Sequence, residues 1–387
     1  MRRTERAGIA LFALALACAA AASASASREA PTKDPARWAL FRGDPQLTGV
    51  SVAKLPDELA PAWVFEVPGG EGIESGAAIV SGTVYFGALD GGLYALDLET
   101  GKQRFKYEAG AEIRTSPTVA AGLVFVGDAS GKFHAVDAAT GERRWVYEAG
   151  DEIVSSANFA GDRVLFGSND QSLYCLSATE GRLLWKVETE GYVYGTPAVV
   201  DGLAVSGGCD GFLRAVRISD GTEVKKIEVG AYVGASPAVD GKTAYFGTFD
   251  NRVLAVDLDS GKVRWTYENP ERKFPYLSSA AVAGGRVFVG GRDKLLHAIE
   301  AGSGKPLWTV ATRGKIDSSP VVVGSSVYVG SAGGELIGVD VETGKLRFSF
   351  DAGSAILGTP AIAAGRLVIG TTEGRLICFA GVARGGA

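Results

Sequence analysis

A unit of 40 to 43 residues recurs eight times between Trp63 and Ala380, and this repeat constrains the fold more than any other feature of the chain. Its clearest mark is a glycine that ends a short polar segment of the type Asp-Leu-Glu-Thr-Gly. Successive glycines of this kind are 40, 40, 40, 40, 43 and 40 residues apart, at positions 101, 141, 181, 221, 261, 304 and 344. Such a regular period indicates an array of one supersecondary unit rather than a set of unrelated elements.

Each unit contains four short runs of β-prone residues. In the second unit these runs are residues 116–119, 123–127, 133–137 and 144–147. They are rich in Val, Phe and Tyr, and turn-forming Gly and Asp lie between them, as expected for short strands joined by tight turns. Four strands in a period of this length predict the blade of a β-propeller.

The same alignment predicts eight blades and indicates how the ring closes. The eighth unit stops at Cys378 and Phe379 and has no outer strand of its own. A candidate for the missing strand stands at the other end of the repeat, as residues 62–67. We therefore predict an all-β fold, an eight-bladed β-propeller over residues 62–380, whose N-terminal strand completes the last blade and leaves no open sheet edge. The inner strands are expected to begin near Gly76, Ser116, Ser156, Thr196, Ser236, Ser279, Ser319 and Thr359.

An aromatic residue follows the repeat glycine in most outer strands, and we interpret it as a wedge buried between neighbouring blades. The outer strand with Val224, Lys225, Lys226 and Ile227 lacks this residue. The seam beside that strand is therefore expected to be the weakest in the ring. The aromatic residues at this position are Phe105, Trp145, Trp185, Trp265, Trp308 and Phe348.

The first 26 residues predict a secretory signal peptide. Three arginines precede an apolar run over residues 9–17, and a stretch of small residues follows, with cleavage expected after Ala24 or Ala26. An alternative is lipidation of Cys18. Residues 27–61 then form a linker and lead-in segment, and residues 381–387 a C-terminal tail. The expected location is the periplasm or the periplasmic face of the outer membrane, with contact to the membrane only through a lipid on Cys18.

The net charge and the cysteines exclude some classes of partner and site. Removing residues 1–26 takes away three arginines and one glutamate, which changes the formal net charge from −5 to −7 and makes nucleic acid an unsuitable partner. Cys175 and Cys378 occupy a third-strand position that is alanine in five other units. We expect these two cysteines and Cys209 to be unpaired thiols, and the chain contains no metal-ligand spacing.

Two sequence features carry a family resemblance. The segments from Ala135 to Trp145 and from Ala255 to Trp265 follow the pattern Ala-x-Asp-x-x-Thr-Gly-x-x-x-Trp, with serine in place of threonine in the second. This pattern resembles the repeat of propellers of the pyrroloquinoline-quinone (PQQ) type. The lead-in from Trp38 to Pro45 also resembles that of exported proteins built from this repeat. The resemblance spans residues 38–380 and implies one of two branches, the quinoprotein dehydrogenases or the BamB-type propellers of outer-membrane barrel assembly.

The residues favour the second branch. Quinoprotein dehydrogenases resemble this chain in fold, but the resemblance implies a longer chain, a metal-assisted quinone on the propeller axis and often two adjacent cysteines. This chain has no adjacent cysteines, and its largest insertion is three residues. Its two histidines, His134 and His297, share one third-strand position and are interpreted as packed or blade-edge residues. We predict no catalytic residue, no metal and no cofactor, with a PQQ-dependent oxidoreductase or a quinone-binding relic as the alternative.

Candidate binding residues lie where the repeat varies. The loops that lead to the inner strands face the mouth of the central channel, and their side chains differ from unit to unit: we select Glu74, Arg114, Tyr194 and Asp317. A longer loop over residues 269–276 combines cations and aromatics, and here we select Arg272, Phe274 and Tyr276, because such residues are frequent interface anchors. The predicted function is that of a monomeric, exported, non-catalytic scaffold with an envelope protein partner. A carbohydrate- or peptide-binding sensor is a further alternative.

Overall fold

The computed structural model describes residues 34–382, which form eight antiparallel sheets and no helix. Seven sheets have four strands and one has a fifth, parallel strand. In every sheet four antiparallel strands lie in order from the channel to the rim, and neighbouring inner strands contact one another around the ring. The predicted eight-bladed all-β propeller is confirmed. No helix among residues 34–382 has the length and hydropathy needed to cross a bilayer. The predicted signal peptide and Cys18 lie outside the described residues.

The strands of each blade are named inner, second, third and outer. The inner strands are Ala78–Val80, Thr118–Ala120, Asn158–Ala160, Ala198–Val200, Ala238–Asp240, Ala281–Ala283, Val321–Val323 and Ala361–Ala363. The second strands are Thr83–Gly87, Leu123–Gly127, Arg163–Ser168, Leu203–Gly207, Thr243–Gly247, Arg286–Gly290, Ser326–Gly330 and Arg366–Gly370. The third strands are Gly92–Asp97, Lys132–Asp137, Ser172–Ser177, Phe212–Arg217, Arg252–Asp257, Leu295–Glu300, Glu335–Asp340 and Arg375–Gly381. The outer strands are Gln103–Glu108, Arg143–Glu148, Leu183–Glu188, Glu223–Glu228, Lys262–Glu268, Pro306–Ala311, Leu346–Asp351 and, in blade 8, Leu59–Glu66.

Each inner strand begins two residues later than the sequence predicted, because the residues before it bond the neighbouring blade instead. The hydroxyl of Ser116 accepts a hydrogen bond from the backbone N–H of Gly76 at 2.9 Å. Ser156 does the same for Ser116, again at 2.9 Å. Serine hydroxyls at the start of five units therefore link successive blades near the channel.

The N-terminal strand closes the ring as predicted. Leu59–Glu66 pairs antiparallel with Arg375–Gly381, and Trp63 stands opposite Cys378. The indole N–H of Trp63 also donates to the carbonyl of Leu98 in blade 1 at 2.8 Å. The two ends of the repeat are thus joined within blade 8, and the same strand holds blade 8 against blade 1.

The aromatic wedges lie between blades as the sequence predicted. The indole N–H of Trp185 donates to the carbonyl of Ile218 in the next blade at 2.8 Å, and its ring covers Gly221 so closely that a Cβ there would lie 2.8 Å from it. At the seam between blades 4 and 5, Gly261 is covered only by Ile227, 3.6 Å from the equivalent Cβ position. The seam without an aromatic wedge is therefore the more loosely packed one.

Residues 35–51, which belong to the predicted lead-in, form what we call the N-terminal strap. The strap follows the free edges of the inner strands around the channel and bonds them at 2.7 to 2.9 Å. Val50–Ser51 adds a short parallel strand to blade 7. The bonds join Pro35 O to Ala364 N, Trp38 to Ile79 in both directions, Ala39 O to Val119 N, Pro45 O to Asn158 Nδ2 and Val199 N, Gln46 O to Val239 N, Thr48 O to Val282 N, Gly49 O to Val322 N, and Ser51 Oγ to Ile362 O.

The strap also closes the channel. The guanidinium of Arg42 donates to the carbonyls of Pro320 and Ala280, at 2.6 and 2.7 Å, in the units of blades 7 and 6. Arg42 and Leu47 have no solvent exposure. Burial lowers the pKa of Arg42 to about 9, although the nearby Asp44 opposes this shift. Because an arginine bonded to the channel wall would be wetted in an open pore, the mouth leads to a closed floor.

Candidate functional site

One face of the ring carries both kinds of variable loop. We call it the loop face, and it is formed by the mouth loops, which connect an outer strand to the next inner strand, and by the turns between second and third strands. Backbone bonds join the two in each blade, for example from Phe249 N to Tyr232 O at 3.0 Å and from Leu89 N to Gly72 O at 2.9 Å. Side chains on these loops are therefore held by the rigid blades beneath them.

Arg114 joins three mouth loops through ion pairs. Its guanidinium lies 3.5 Å from Glu74, 2.5 Å from Glu112 and 2.9 Å from Glu152, which belong to the loops that lead to blades 1, 2 and 3. Burial opposes the charge of Arg114, but the three carboxylates outweigh it and raise its pKa. The predicted mouth residues Glu74 and Arg114 are thus brought together, in a group where one guanidinium serves three carboxylates.

Asp317 is paired in the same way on the far side of the mouth. It accepts two hydrogen bonds from Arg292, at 2.8 and 3.2 Å, and lies 2.9 Å from Lys315. Burial alone would raise its pKa, but the two cations outweigh burial and hold the pKa below its ordinary value. The carboxylate of Asp317 is therefore engaged with its own neighbours.

Tyr194 lies half-buried at the mouth of blade 4. Its ring packs against that of Tyr192, with centroids 5.6 Å apart, and burial raises the pKa of its hydroxyl. Tyr192 is the more exposed of the two rings. The structure does not bring Tyr194 into contact with Arg114 or Asp317, so the four predicted mouth residues form separate groups.

The longer loop over residues 269–276 differs from its predicted arrangement. Phe274 is exposed, and Arg272 is exposed but donates from Nη1 to the carbonyl of Asp293 at 3.0 Å. The prediction that Tyr276 is an exposed loop aromatic was wrong, since only 1% of it is accessible. Its ring packs edge-on against His297, with centroids 5.2 Å apart. Tyr276 takes the place that Ile113 holds in blade 2, where the side chain covers a second-strand glycine.

The two histidines are packed, as predicted, and each is held between a tyrosine and an aspartate. His134 contacts Asp128 through Nε2 at 2.9 Å and the hydroxyl of Tyr107 through Nδ1 at 3.0 Å. His297 contacts Asp293 and Tyr267 in the same way, each at 3.0 Å. Both histidines are buried, and both aspartates also accept backbone hydrogen bonds of their own turn. The histidines therefore anchor the turns of blades 2 and 6.

Sequence reasoning missed most of the exposed aromatic residues. All exposed aromatic side chains within residues 34–382 lie on the loop face of blades 4 to 6. We call this set the aromatic arc: Tyr192, Tyr232, Phe249 and Phe274. The other large apolar side chains that are exposed are aliphatic, and those on outer strands, such as Leu307 and Leu346, are scattered around the rim. Comparison of each mouth-loop position across the eight units could have found Tyr192 and Tyr232.

The donor set does not fit a metal-assisted quinone. The carboxylates of Glu74 and Asp317 are paired with arginines, and the channel axis below them is filled by the strap with Arg42. Over the described part of the chain, no group of three or more His, Cys, Asp or Glu side chains is placed to hold a metal ion. Cys175, Cys209 and Cys378 are free thiols, as the sequence predicted.

Known proteins resemble the chain over nearly its whole described length. A family model described as outer membrane protein assembly factor BamB matches residues 48–158, 150–274 and 268–385. Among solved structures, BamB from Moraxella catarrhalis superposes with a TM-score of 0.72 and 18% identity, over 85% of this chain and 100% of that one. A search of curated protein sequences returned no match.

Dehydrogenases share the fold as well. A europium-containing methanol dehydrogenase superposes with a TM-score of 0.76 and 15% identity, over 90% of this chain and 98% of that one. The quinohemoprotein alcohol dehydrogenase from Comamonas testosteroni gives 0.75 and 14%, over 91% and 82%. At such identities the superpositions establish the propeller fold alone. The family match, by contrast, spans most of the sequence, and the chain belongs to the family of the outer membrane protein assembly factor BamB.

Proposed function

We propose that this protein is an exported, non-catalytic scaffold of the cell envelope, which holds a protein partner on its loop face during the assembly of outer-membrane proteins. The observation that carries the proposal is the aromatic arc. Tyr232 is 59% exposed and Phe274 49% exposed, and both lie on the same arc of one face. Clustered aromatic rings on a water-facing surface are typical of protein interaction sites, in which such side chains contribute most of the affinity.

The charged residues of the mouth and the exposed aromatic residues are expected to contribute differently to partner binding. Glu74, Arg114 and Asp317 are each engaged in ion pairs within the protein. Because a partner would have to break these pairs to use them, we assign them to the rim of the contact. Tyr194 packs against the exposed Tyr192, and the exposed aromatic residues of blades 4 to 6 then provide the anchors.

The rigidity of the ring suits a scaffold. The strap, the closing strand and the aromatic wedges fix the blades, so the loops that they carry lose little freedom when a partner binds. Arg272 adds to this, because its bond to the Asp293 carbonyl fixes the loop on which Phe274 is presented. A fixed array of short loops can recognise a partner without any moving part.

The proposed function requires no cofactor, in keeping with the paired carboxylates of the mouth and the filled axis. It places the protein in the periplasm or at the periplasmic face of the outer membrane, either free or held by a lipid on Cys18. The family to which the chain belongs supports this location and an envelope protein as the partner.

The test is genetic complementation with variants matched for exposure. In a strain of the source organism that lacks the gene, the wild-type chain should restore the amount of folded outer-membrane proteins. Tyr232→Ser and Phe274→Ser together should restore it poorly. The matched control is Leu346→Ser with Leu307→Ser, because these rim residues are 58% and 45% exposed but lie off the loop face. Equal restoration by both double variants would contradict the site, and unchanged outer-membrane proteins in the deletion strain would contradict the function.

A further inference from the structure

A groove lies on the loop face at the seam between blades 4 and 5, and it has a volume of about 430 Å³. Its walls include Phe212 from the third strand of blade 4, Tyr232 from the mouth loop and Phe249 from the turn of blade 5. The Glu228 side chain, at the end of the outer strand of blade 4, also borders the groove. We call this the seam groove, and in none of the other units are the three wall positions all aromatic.

Some blades pair the carboxylate at the position of Glu228 with a lysine of the same outer strand, whereas Glu66 and Glu148, like Glu228, have no ion pair within residues 34–382. In blade 1, Lys106 lies 2.7 Å from Glu108 on the same outer strand. Lys186 in blade 3 is placed likewise, 3.8 Å from Glu188. In blade 4 the equivalent lysine, Lys226, turns away from Glu228. It pairs instead with Glu190 at 3.1 Å and lies 4.3 Å above the Phe212 ring.

The remaining charges around the groove cancel. Arg214 pairs with Asp210 at 2.6 Å, and Arg252 pairs with Asp250. Glu228 has no ion-pair partner within residues 34–382. The seam groove thus presents two accessible aromatic rings, those of Tyr232 and Phe249, beside one uncompensated carboxylate.

We propose that the seam groove binds an arginine side chain of the protein partner. This inference rests on the proposed function and names the chemistry by which the partner is recognised. A purely apolar side chain would pack against the rings but would displace water from the Glu228 carboxylate. Because it offers no hydrogen bond in return, the desolvation of the carboxylate would lower the affinity. A guanidinium satisfies both features, because its flat face stacks on aromatic rings while its edge donates to a carboxylate.

Arginine suits this groove better than lysine. The ammonium group of lysine is compact and strongly hydrated, whereas the guanidinium is planar and more weakly hydrated. Phe212 already carries Lys226, so the protein itself shows a cation over a ring of this groove. The rings of Tyr232 and Phe249, which carry no cation, offer a second position for a cation, with Glu228 beside it.

The experiment uses the full chain and four fluorescein-labelled glycine-rich peptides that carry one arginine, lysine, citrulline or leucine. Fluorescence anisotropy at low salt should give the tightest binding for the arginine peptide, by about threefold over lysine and about tenfold over citrulline. Glu228→Gln should abolish the preference for arginine over citrulline. The matched control is Glu148→Gln, which removes the equivalent charge in blade 2, where Lys132 and Glu152 replace Phe212 and Tyr232.

Three results would overturn the inference: no binding of the arginine peptide at millimolar concentration, equal binding of the leucine peptide, or an equal loss in the Glu148→Gln control. Circular dichroism of both variants checks that they fold. None of these results bears on complementation by the aromatic-arc variants, so the groove can fail while the scaffold function stands. If complementation fails while the peptide preference holds, the groove is real and the proposed function is wrong.

Discussion

Replacing Trp185 with alanine should lower the free energy of unfolding far more than replacing Lys225, although both residues occupy the wedge position of their outer strands. Trp185 is only 8% exposed, covers Gly221 and donates to the carbonyl of Ile218. Lys225 is half-buried and bonds only the exposed backbone of Asp259. Comparing the two variants therefore separates the stability contributed by the aromatic wedge from that contributed by the outer strand.

The magnitudes follow from burial. Truncation of a buried tryptophan to alanine costs about 3 to 5 kcal/mol, whereas loss of one exposed hydrogen bond costs about 1 kcal/mol or less. A folded domain of about 350 residues has an unfolding entropy of about 0.7 kcal/mol/K. Trp185→Ala should therefore lower Tm by about 4 to 7 °C, and Lys225→Ala by less than about 2 °C.

Calorimetry and far-UV circular dichroism are the suitable assays, because fluorescence would change with the loss of the tryptophan itself. Lys225→Trp provides the converse test: an indole over Gly261 should raise Tm, since that glycine is covered only by Ile227 at 3.6 Å. Equal shifts for Trp185→Ala and Lys225→Ala would refute the wedge as the main contact between blades.

Three further outcomes follow from the closure, the strap and the mouth. Deletion of residues 1–68 removes the outer strand of blade 8 and should produce aggregates in size-exclusion chromatography, because the third strand of that blade is left unpaired; a monomer with unchanged Tm would contradict the closure. Deletion of residues 1–52 keeps the closing strand but removes the strap. The product should be a monomer with lower Tm, because the edges of the inner strands lose their hydrogen-bond partners. An unchanged Tm would show that the strap adds no stability. Purified protein given PQQ and calcium should not oxidise alcohols or aldose sugars in a dye-linked assay, and turnover that Glu74→Ala and Asp317→Ala abolish would make the protein an enzyme.

The sequence predicted the architecture because the repeat is a local signal. The glycine of each unit, the aromatic wedge and the missing eighth outer strand all recur at fixed spacing, so blade number and closure follow from alignment of the chain with itself. The two-residue error at the inner strands has a local cause as well. Ser116 and its equivalents look like strand residues, but they bond the neighbouring blade.

The strap could not be predicted in this way. Its bonds to the inner strands are made mostly by backbone carbonyls, such as those of Gln46 and Thr48, which carry no side-chain pattern. Each bond also joins residues that are far apart in sequence. The strap carries a buried arginine, Arg42, but the burial of this side chain cannot be inferred from the sequence around it.

The candidate site was predicted in part. Phe274 is exposed as expected, but Tyr276 occupies a core position that is isoleucine or valine in the other seven units. Strict alignment to the repeat would have identified it as buried. Tyr232 and Phe249 were missed because one position of each mouth loop was compared across the units. Both residues lie at other loop positions, which come to the same face only when the blades fold.

Photo-crosslinking in living cells tests directly whether the loop face of blades 4 to 6 holds the partner. A photoreactive phenylalanine analogue is placed singly at Tyr232, Phe274, Leu307 and Leu346, and cross-linked products are identified by mass spectrometry. We predict that the two loop-face positions crosslink to the same envelope protein and that the two rim positions do not. Crosslinks to that protein from Leu307 and Leu346, with none from Tyr232 and Phe274, would contradict the claim that the loop face of blades 4 to 6 holds the partner.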